Sequence, residues 1–518
     1  MKEGLLIGID AGTSVIKSVA FTLSGEQVAS AALPNEYFNL PNGGVEQEMP
    51  RTWTDAAHTL RLLAEKVPNL RDRAVALAVT GQGDGTWLMD SDGAPVGRAW
   101  LWLDSRAASI AEEFMAHPAY PEHYKRTGTG INACQQSTHL VWMKRNTPEL
   151  LAKAASAHHC KDWLYFNLTG ARVTDPSEAI YTFGRYADRE YQPEVLEALG
   201  APELRRLLPP TVDGAIESAR LSEAAAKLTG LKSGLPVSLG YLDVICCGVG
   251  GGLYDPQGKA GCTIVGSTGM HMRMRKSADV KLNAERSGYT MCFPAPDTVA
   301  QMQSNMASTL NIDWLLDLAL GILKDQGVNR ERKDLLKGLD EKILAEPPGR
   351  LLYHPYISQA GERGPFLEPA ARATFTGLEQ GMGFAALMRG VFEGLCHAAR
   401  DCYEALGGAP QEVRITGGAA RSNALRFMLA SALKAPVRTV SREEAGAAGA
   451  VMMAAVQQKI YPGMAEAAAA WVDPMLGNST KPDAALAKLF DATYPLYRDT
   501  REKLRPVWRG LKEARSDA

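Results

Sequence analysis

Asp10-Ala11-Gly12-Thr13-Ser14 sets a carboxylate at the end of an apolar run and follows it with small residues and two hydroxyls. Backbone N–H groups and hydroxyls in such a turn can cradle a phosphate, while the carboxylate holds Mg²⁺ directly or through water. An ordinary hairpin turn would have the same composition. A second hydroxyl-bearing turn, Gly266-Ser267-Thr268-Gly269, follows Thr263-Ile264-Val265. Two such turns would grip one polyphosphate from opposite sides. Ile415 to Asn423 reads as a strand, the glycine turn Gly417-Gly418-Ala419, and then a helix. Glycines let a backbone approach a ligand closely, and a helix N-terminus favours anions; a tight strand-to-helix connection is the plainer alternative. The chain contains neither a GxGxxG fingerprint here nor a Walker GxxxxGK[ST] motif anywhere. Gly248–Gly252 imitates GxG without a following helix and reads as structural, a hinge or lobe boundary.

The elements that must position these residues follow from periodicity. Leu5 to Asp10 is a short apolar strand, Val15 to Leu23 a second, and Ser24-Gly25 turns the chain into a third from Gln27 to Leu33. Thr52 to Val67 carries helical spacing at Trp53, Ala56, Ala57, Leu60 and Leu63, with Pro68 as its stop. Val75 to Thr80 is another buried strand. Alternation of strands and helices specifies an α/β class. From Cys262 to Met274 a strand, turn and strand repeat the pattern of Ile7 to Phe21, half a chain later. Ala-rich Glu444–Val456 and Met464–Trp471 read as close-packed helices. Two α/β lobes, 1–248 and 249–518, facing each other across a cleft are the simplest arrangement.

Composition excludes several other classes. The 518 residues carry 56 Lys+Arg against 58 Asp+Glu, a net charge of −2, with 46% hydrophobic and 22% charged residues. That balance, without basic blocks, argues against nucleic acid or an anionic membrane as partner. No apolar run approaches the roughly 18–20 residues of a membrane span. The start, Met1-Lys2-Glu3-Gly4, reaches Asp10 too soon for a signal peptide. None of the eight cysteines forms a CxxC, so neither a zinc site nor a disulfide framework is expected. A cytoplasmic globular protein is the expectation, and composition does not separate a monomer from a homodimer.

Taken in order, the motifs resemble the FGGY carbohydrate kinases over nearly the whole chain. They are Ile7–Ser14, Leu101-Trp102-Leu103-Asp104-Ser105-Arg106, Lys161–Gly170 with Thr174-Asp175, and Gly240-Tyr241-Leu242-Asp243. Gly266–Gly269, Gly361-Glu362-Arg363-Gly364-Pro365, the Gly417-Gly418 turn and Glu444–Ala450 complete the set. The resemblance implies two actin-like (ribonuclease H-like) ATPase lobes, ATP and Mg²⁺ as cofactors, and Asp243 as catalytic base. A carboxylate beside a glycine-rich stretch suits acceptance of a hydroxyl proton during attack on a γ-phosphate; an N-cap is the bland alternative for Asp243. By the same resemblance Asp10 serves the metal and Thr13, Ser14, Thr268 and Gly269 the phosphates. Gly417, Gly418, Ala419 and Asn423 border the adenosine. One element departs from the family: Gln136, His139, Leu140 and Trp142 stand where many members carry Ser/Thr, Lys, a Leu-like residue and Trp. His139 is accordingly given no role.

Gln82-Gly83-Asp84-Gly85 falls where family members hold their sugar. A carboxylate at position 84 accepts hydrogen bonds from two adjacent hydroxyls, which suits a polyol better than a ketone, and Gly83 leaves room for a chain longer than glycerol. If Ala99–Asp104 is a strand, Trp100, Trp102 and Asp104 share a face. An indole then packs on the polyol C–H face while Asp104 and Arg106 handle hydroxyls, with Trp100 equally readable as core. The expected substrate-binding set is Gln82, Asp84, Trp102, Asp104, Arg106 and Asp243. Within the family the motifs look most like those of erythritol kinases, implying ATP-dependent phosphorylation of a small polyol. An L-xylulose-type pentulose kinase, or an actin-like sugar sensor without catalysis, are the alternatives.

Overall fold

The computed structural model describes residues 4–516; Met1-Lys2-Glu3, part of the leader reading above, lies outside the described residues. The first lobe opens with an antiparallel meander of β1 (Leu5–Ala11), β2 (Val15–Thr22) and β3 (Gln27–Pro34). Helix α1 (Met49–Lys66) then crosses to β4 (Ala74–Gly81), parallel to β1. After α2 (Cys160–Thr169), α3 (Pro176–Phe183) and β5 (Ala219–Arg220), β6 (Pro236–Leu239) adds parallel to β4. The sheet order is β5-β6-β4-β1-β2-β3. Side chains alternate across β1. Leu5, Ile7 and Ile9 join the core under α1, whereas Leu6 joins a second core that also holds the residues of the lobe interface. Asp10 shares the face of Leu6 and therefore looks toward that interface.

Helix α4 (Asp243–Gly250) leads into a second lobe built on the same plan. The strands of its main sheet are β7 (Ala260–Val265), β8 (Gly269–Lys276), β9 (Tyr289–Cys292), β10 (Thr298–Asn305), β11 (Glu412–Thr416), β12 (Val437–Val440) and β13 (Leu476–Thr480). Their order is β9-β10-β8-β7-β11-β12-β13, with β7, β11 and β12 parallel. Helices α5 (Phe384–Ala405) and α6 (Asn423–Leu433) cover one face. The repeated hairpin expected from the sequence is therefore present, as β1-β2 and β7-β8.

Two differences from the sequence reading matter. The stretch from Ala99 is a strand only through Trp100; Leu101 to Asp104 turn away. Trp100 is 4% exposed and packs against His139 and Trp142, so it is core. The Gly248–Gly252 run is the last turn and exit of α4, packed on α7 (Ala445–Gln457). A Cβ on Gly250 would collide with the Ala445 carbonyl, and one on Gly449 with that of Cys246. These glycines serve close helix crossing, which their sequence context did not reveal.

Candidate active site

Strands β1, β4 and β6 are parallel neighbours, so their C-terminal ends lie at one edge of the first sheet. The turns leaving that edge carry Asp10–Thr13, Gln82–Gly85 and Tyr241–Asp243. In open α/β sheets ligands bind in the crevice outside these ends. The second lobe contributes Thr268, from the turn after β7. A cavity of about 330 Å³ between them is lined by Thr13, Asp84, Trp102, Asp243, Thr268 and Arg363, with Leu242 and Met270 among its apolar walls.

Asp243 is the first residue of α4. Burial, followed by the negative charge of Asp10, pushes its carboxyl up to about 8. Asp10 is itself pushed up to about 6, chiefly by burial; Lys17 opposes the rise and Glu444 adds to it. Lys17 is held 2.9 Å from Glu444 rather than by Asp10. Gly446 stands so close to the Asp10 carboxylate that a Cβ there would overlap it. Two buried acids, one of which raises the proton affinity of the other, form a site short of positive charge. Among the described residues no three His, Cys, Asp or Glu side chains converge as a metal cage. That donor set fits magnesium, which takes one or two carboxylates plus phosphate and water.

Asp84 has a left-handed backbone (φ 53°), as does Gly85 (φ 76°), a conformation uncommon for a side-chain-bearing residue. The tight turn carries Asp84 into the cavity. One carboxylate oxygen accepts from the Tyr181 hydroxyl and the other from the Cys134 thiol at 3.6 Å. Burial raises its proton affinity; Tyr181, His159 and Arg363 counter the rise. Behind it runs a sealed network. Tyr181 donates to Glu178 at 3.3 Å, and His159 stands 3.6 Å from Glu178 and 3.2 Å from Asp162. Lys161, wholly buried, pairs with Asp162 at 3.0 Å and Asp175 at 2.6 Å. Burial pushes Glu178 up to about 7.

Not every expected site residue reaches the cavity. Gln82 is 2% exposed, and both ends of its amide are hydrogen-bonded within the lobe. It donates to Gln47 at 2.9 Å and accepts from Thr13 at 3.1 Å, so it braces Thr13. Asp104 and Arg106 pair with each other at 2.6 Å; Arg106 also meets Glu46 at 2.9 Å and covers the Trp100 ring at 3.4 Å. Asp104 further accepts from the Val45 amide at 2.9 Å. Both are structural, because the turn at Leu101 redirects them into the lobe. Trp102 does line the cavity, donating its indole N–H to Thr13 at 2.8 Å. Ser14 is exposed at the tip of its turn, and Gly269 is buried in β8. Gly417 (φ 99°) packs its Cα against β7, at the same sheet edge as Thr268, with Gly418 exposed and Ala419 half-buried beside it. The N-terminus of α6 is not an open anion site. Asp340 accepts from the backbone of Asn423 at 2.7 Å, and Ser422 caps Leu425 at 3.1 Å.

Sequence reasoning passed over Tyr181, Tyr289 and Arg363, all of which line the cavity. Arg363 lay within a quoted motif but received no role. Tyr181 had only its position one helical turn beyond Glu178 as a signal.

Comparison with known proteins places this geometry. Residues 5–250 match the model of the FGGY family of carbohydrate kinases, N-terminal domain, and residues 261–458 that of its C-terminal domain. A protein described as erythritol kinase from Brucella abortus (strain 2308) is 51% identical over 507 residues, 98% of each chain. The xylulose kinase of Escherichia coli (strain K12) is 27% identical, covering 82% of this chain and 84% of its own. The crystal structure of xylulose kinase from Rhodospirillum rubrum superposes with a TM-score of 0.87 at 25% identity, covering 98% of this chain and all of that one. With both domains matched across most of its length, and two actin-like lobes enclosing the cavity, the chain is a member of the FGGY family of carbohydrate kinases.

Proposed function

We propose that this kinase phosphorylates erythritol, with ATP as phosphoryl donor and Asp243 as the base. The observation carrying this reading is the placement of Asp243 and Asp84 in one cavity with Thr13 and Thr268 from opposing lobes. The 51% identity to a protein described as erythritol kinase supports the choice of polyol. Asp84 accepts hydrogen bonds from vicinal hydroxyls and Trp102 offers an apolar face to the C–H groups. The reacting hydroxyl lies toward Asp243. As its oxygen bonds to the γ-phosphorus, the bond from phosphorus to the β,γ-bridging oxygen breaks, and the hydroxyl proton passes to the Asp243 carboxylate. A base raised to about 8 binds that proton more firmly than an ordinary aspartate. The Thr13 backbone N–H and the Thr268 hydroxyl donate to phosphate oxygens, with Ser14 beside Thr13 and Gly269 following Thr268 at the start of β8, and Gly417, Gly418, Ala419 and Asn423 border the nucleoside. Magnesium would be held by Asp10 and would neutralise charge on the β- and γ-phosphates. We take 248/249 as the boundary across which the lobes close. An ADP-release assay over glycerol, erythritol, threitol, ribitol, xylitol and L-xylulose tests the reading. Erythritol should give the highest kcat/KM; a ketopentose ranking first would replace the substrate, and no turnover of any would remove the activity.

A further inference from the structure

Asp84 and Arg363 enter the cavity from opposite lobes, and they differ in what satisfies them. Both Asp84 oxygens already accept, from Tyr181 and Cys134. Arg363 has a buried Nε that meets no acceptor. Among the described residues no carboxylate stands within ion-pair distance of its guanidinium. The adjacent Glu362 does not fill the role: its Oε1 accepts from the backbone of Met306 and of Arg363, each at 2.9 Å, and its Oε2 is buried without meeting the guanidinium. A guanidinium offers five donors and no acceptor, and leaving buried donors unmade is costly. Arg363, Tyr289 and Ser304 also line a second chamber of about 300 Å³. These three side chains are thus the partition between two spaces of similar size.

We propose that Arg363 binds the substrate and selects its length. Its guanidinium donates to hydroxyls at the polyol end remote from Asp243, and its side chain closes that end of the cavity against the second chamber. This rests on the polyol-kinase reading above. A polyol suits the role because every hydroxyl both donates and accepts. It can give protons to Asp84 on one lobe and take them from Arg363 on the other, joining two charges that do not reach each other directly. Bound polyol therefore also ties the lobes together.

Steady-state kinetics of Arg363→Gln and Arg363→Ala with ATP and erythritol, glycerol, ribitol or xylitol test this. In Arg363→Gln the KM for erythritol should rise about 10- to 150-fold, the range of one hydrogen bond lost from a charged donor. The KM for ATP should stay within a factor of about two, and glycerol, one carbon shorter, should lose less than erythritol. Arg363→Ala joins the chambers, so ribitol and xylitol should gain relative to erythritol. Arg363→Lys keeps the charge but loses the fork, and should fall between wild type and Arg363→Gln. It carries the test if the neutral variants do not fold. An unchanged KM for erythritol in any folded variant, or an equal loss for erythritol and glycerol with the pentitol ranking unaltered, overturns the proposal. Absence of turnover of every polyol by the unaltered enzyme would instead overturn the activity on which it rests.

Discussion

The two lobes present an acidic residue at the same topological position and use it in opposite ways. After the third parallel strand of the first lobe, Asp243 opens α4; after the third of the second lobe, Glu444 immediately precedes α7. Glu444 is neutralised by Lys17 of the other lobe at 2.9 Å. Asp243 faces Asp10 instead and is pushed up to about 8. The strand ends differ in the same sense: β1 closes on Asp10-Ala11, whereas β7 closes on apolar Ile264-Val265. Duplicated backbone geometry fixes where a carboxylate can stand. Whether its proton affinity is raised or its charge is paired depends on whether a cation lies within reach.

The comparison breaks most visibly at Asp243. Asp243→Asn should keep nucleotide binding and lose about 10²–10⁴-fold in kcat, because the hydroxyl proton then has no acceptor. Equilibrium binding and single-turnover rates on the folded variant decide this, and near-normal turnover would cancel the distinction between the lobes. The unaltered enzyme should show the raised proton affinity as a pH profile. Asp243 accepts a proton only when ionised, so kcat/KM should climb with pH and level off above about 8, rather than near the pH 4 of an ordinary aspartate.

Asp84→Asn comes next in size. Replacing a charged acceptor by a neutral one should reduce kcat/KM for erythritol about 10- to 150-fold, more than for L-xylulose. A uniform loss across erythritol, glycerol and L-xylulose would reduce Asp84 to a brace of its turn. Substitution of Thr268, on the other lobe, should raise the KM for ATP and leave the polyol ranking as it was. Gly449→Ala probes the contact between α4 and α7: its methyl meets the Cys246 carbonyl, so unfolding in urea should show a loss of about 1–3 kcal/mol. The smallest effect belongs to the paired acid. Glu444→Gln breaks a pair whose lysine is 35% exposed, and should cost about 0.2–1 kcal/mol, shrinking further in salt. A large catalytic loss there would show that Glu444 acts in the chemistry after all.

Residues whose role depends on neighbours close in sequence were legible. The Asp10 turn, the two hairpins and the strand from Val75 to Thr80 follow from short-range patterns. Partners from distant parts of the chain were not. Gln82 resembles a ligand residue until Gln47 and Thr13 occupy its amide. Asp104 and Arg106 look like sugar contacts until Glu46 and the Val45 amide arrive from earlier in the chain. Tyr181 meets Asp84 across 97 residues, and Arg363 comes from the other lobe, so no local pattern tied either to the cavity.

The crossing of α4 and α7 has a mechanical consequence. Where Gly250 meets Ala445 and Gly449 meets Cys246, two backbones touch with no long side chain between them. Interlocked leucines would act as gear teeth, and changing the angle between the helices would require rotamers to jump. Smooth helix surfaces act as a journal bearing: they can slip through a small angle while their contact is kept. The closeness of this crossing is thus set by positions without side chains, and one added methyl group is enough to push the two helices apart.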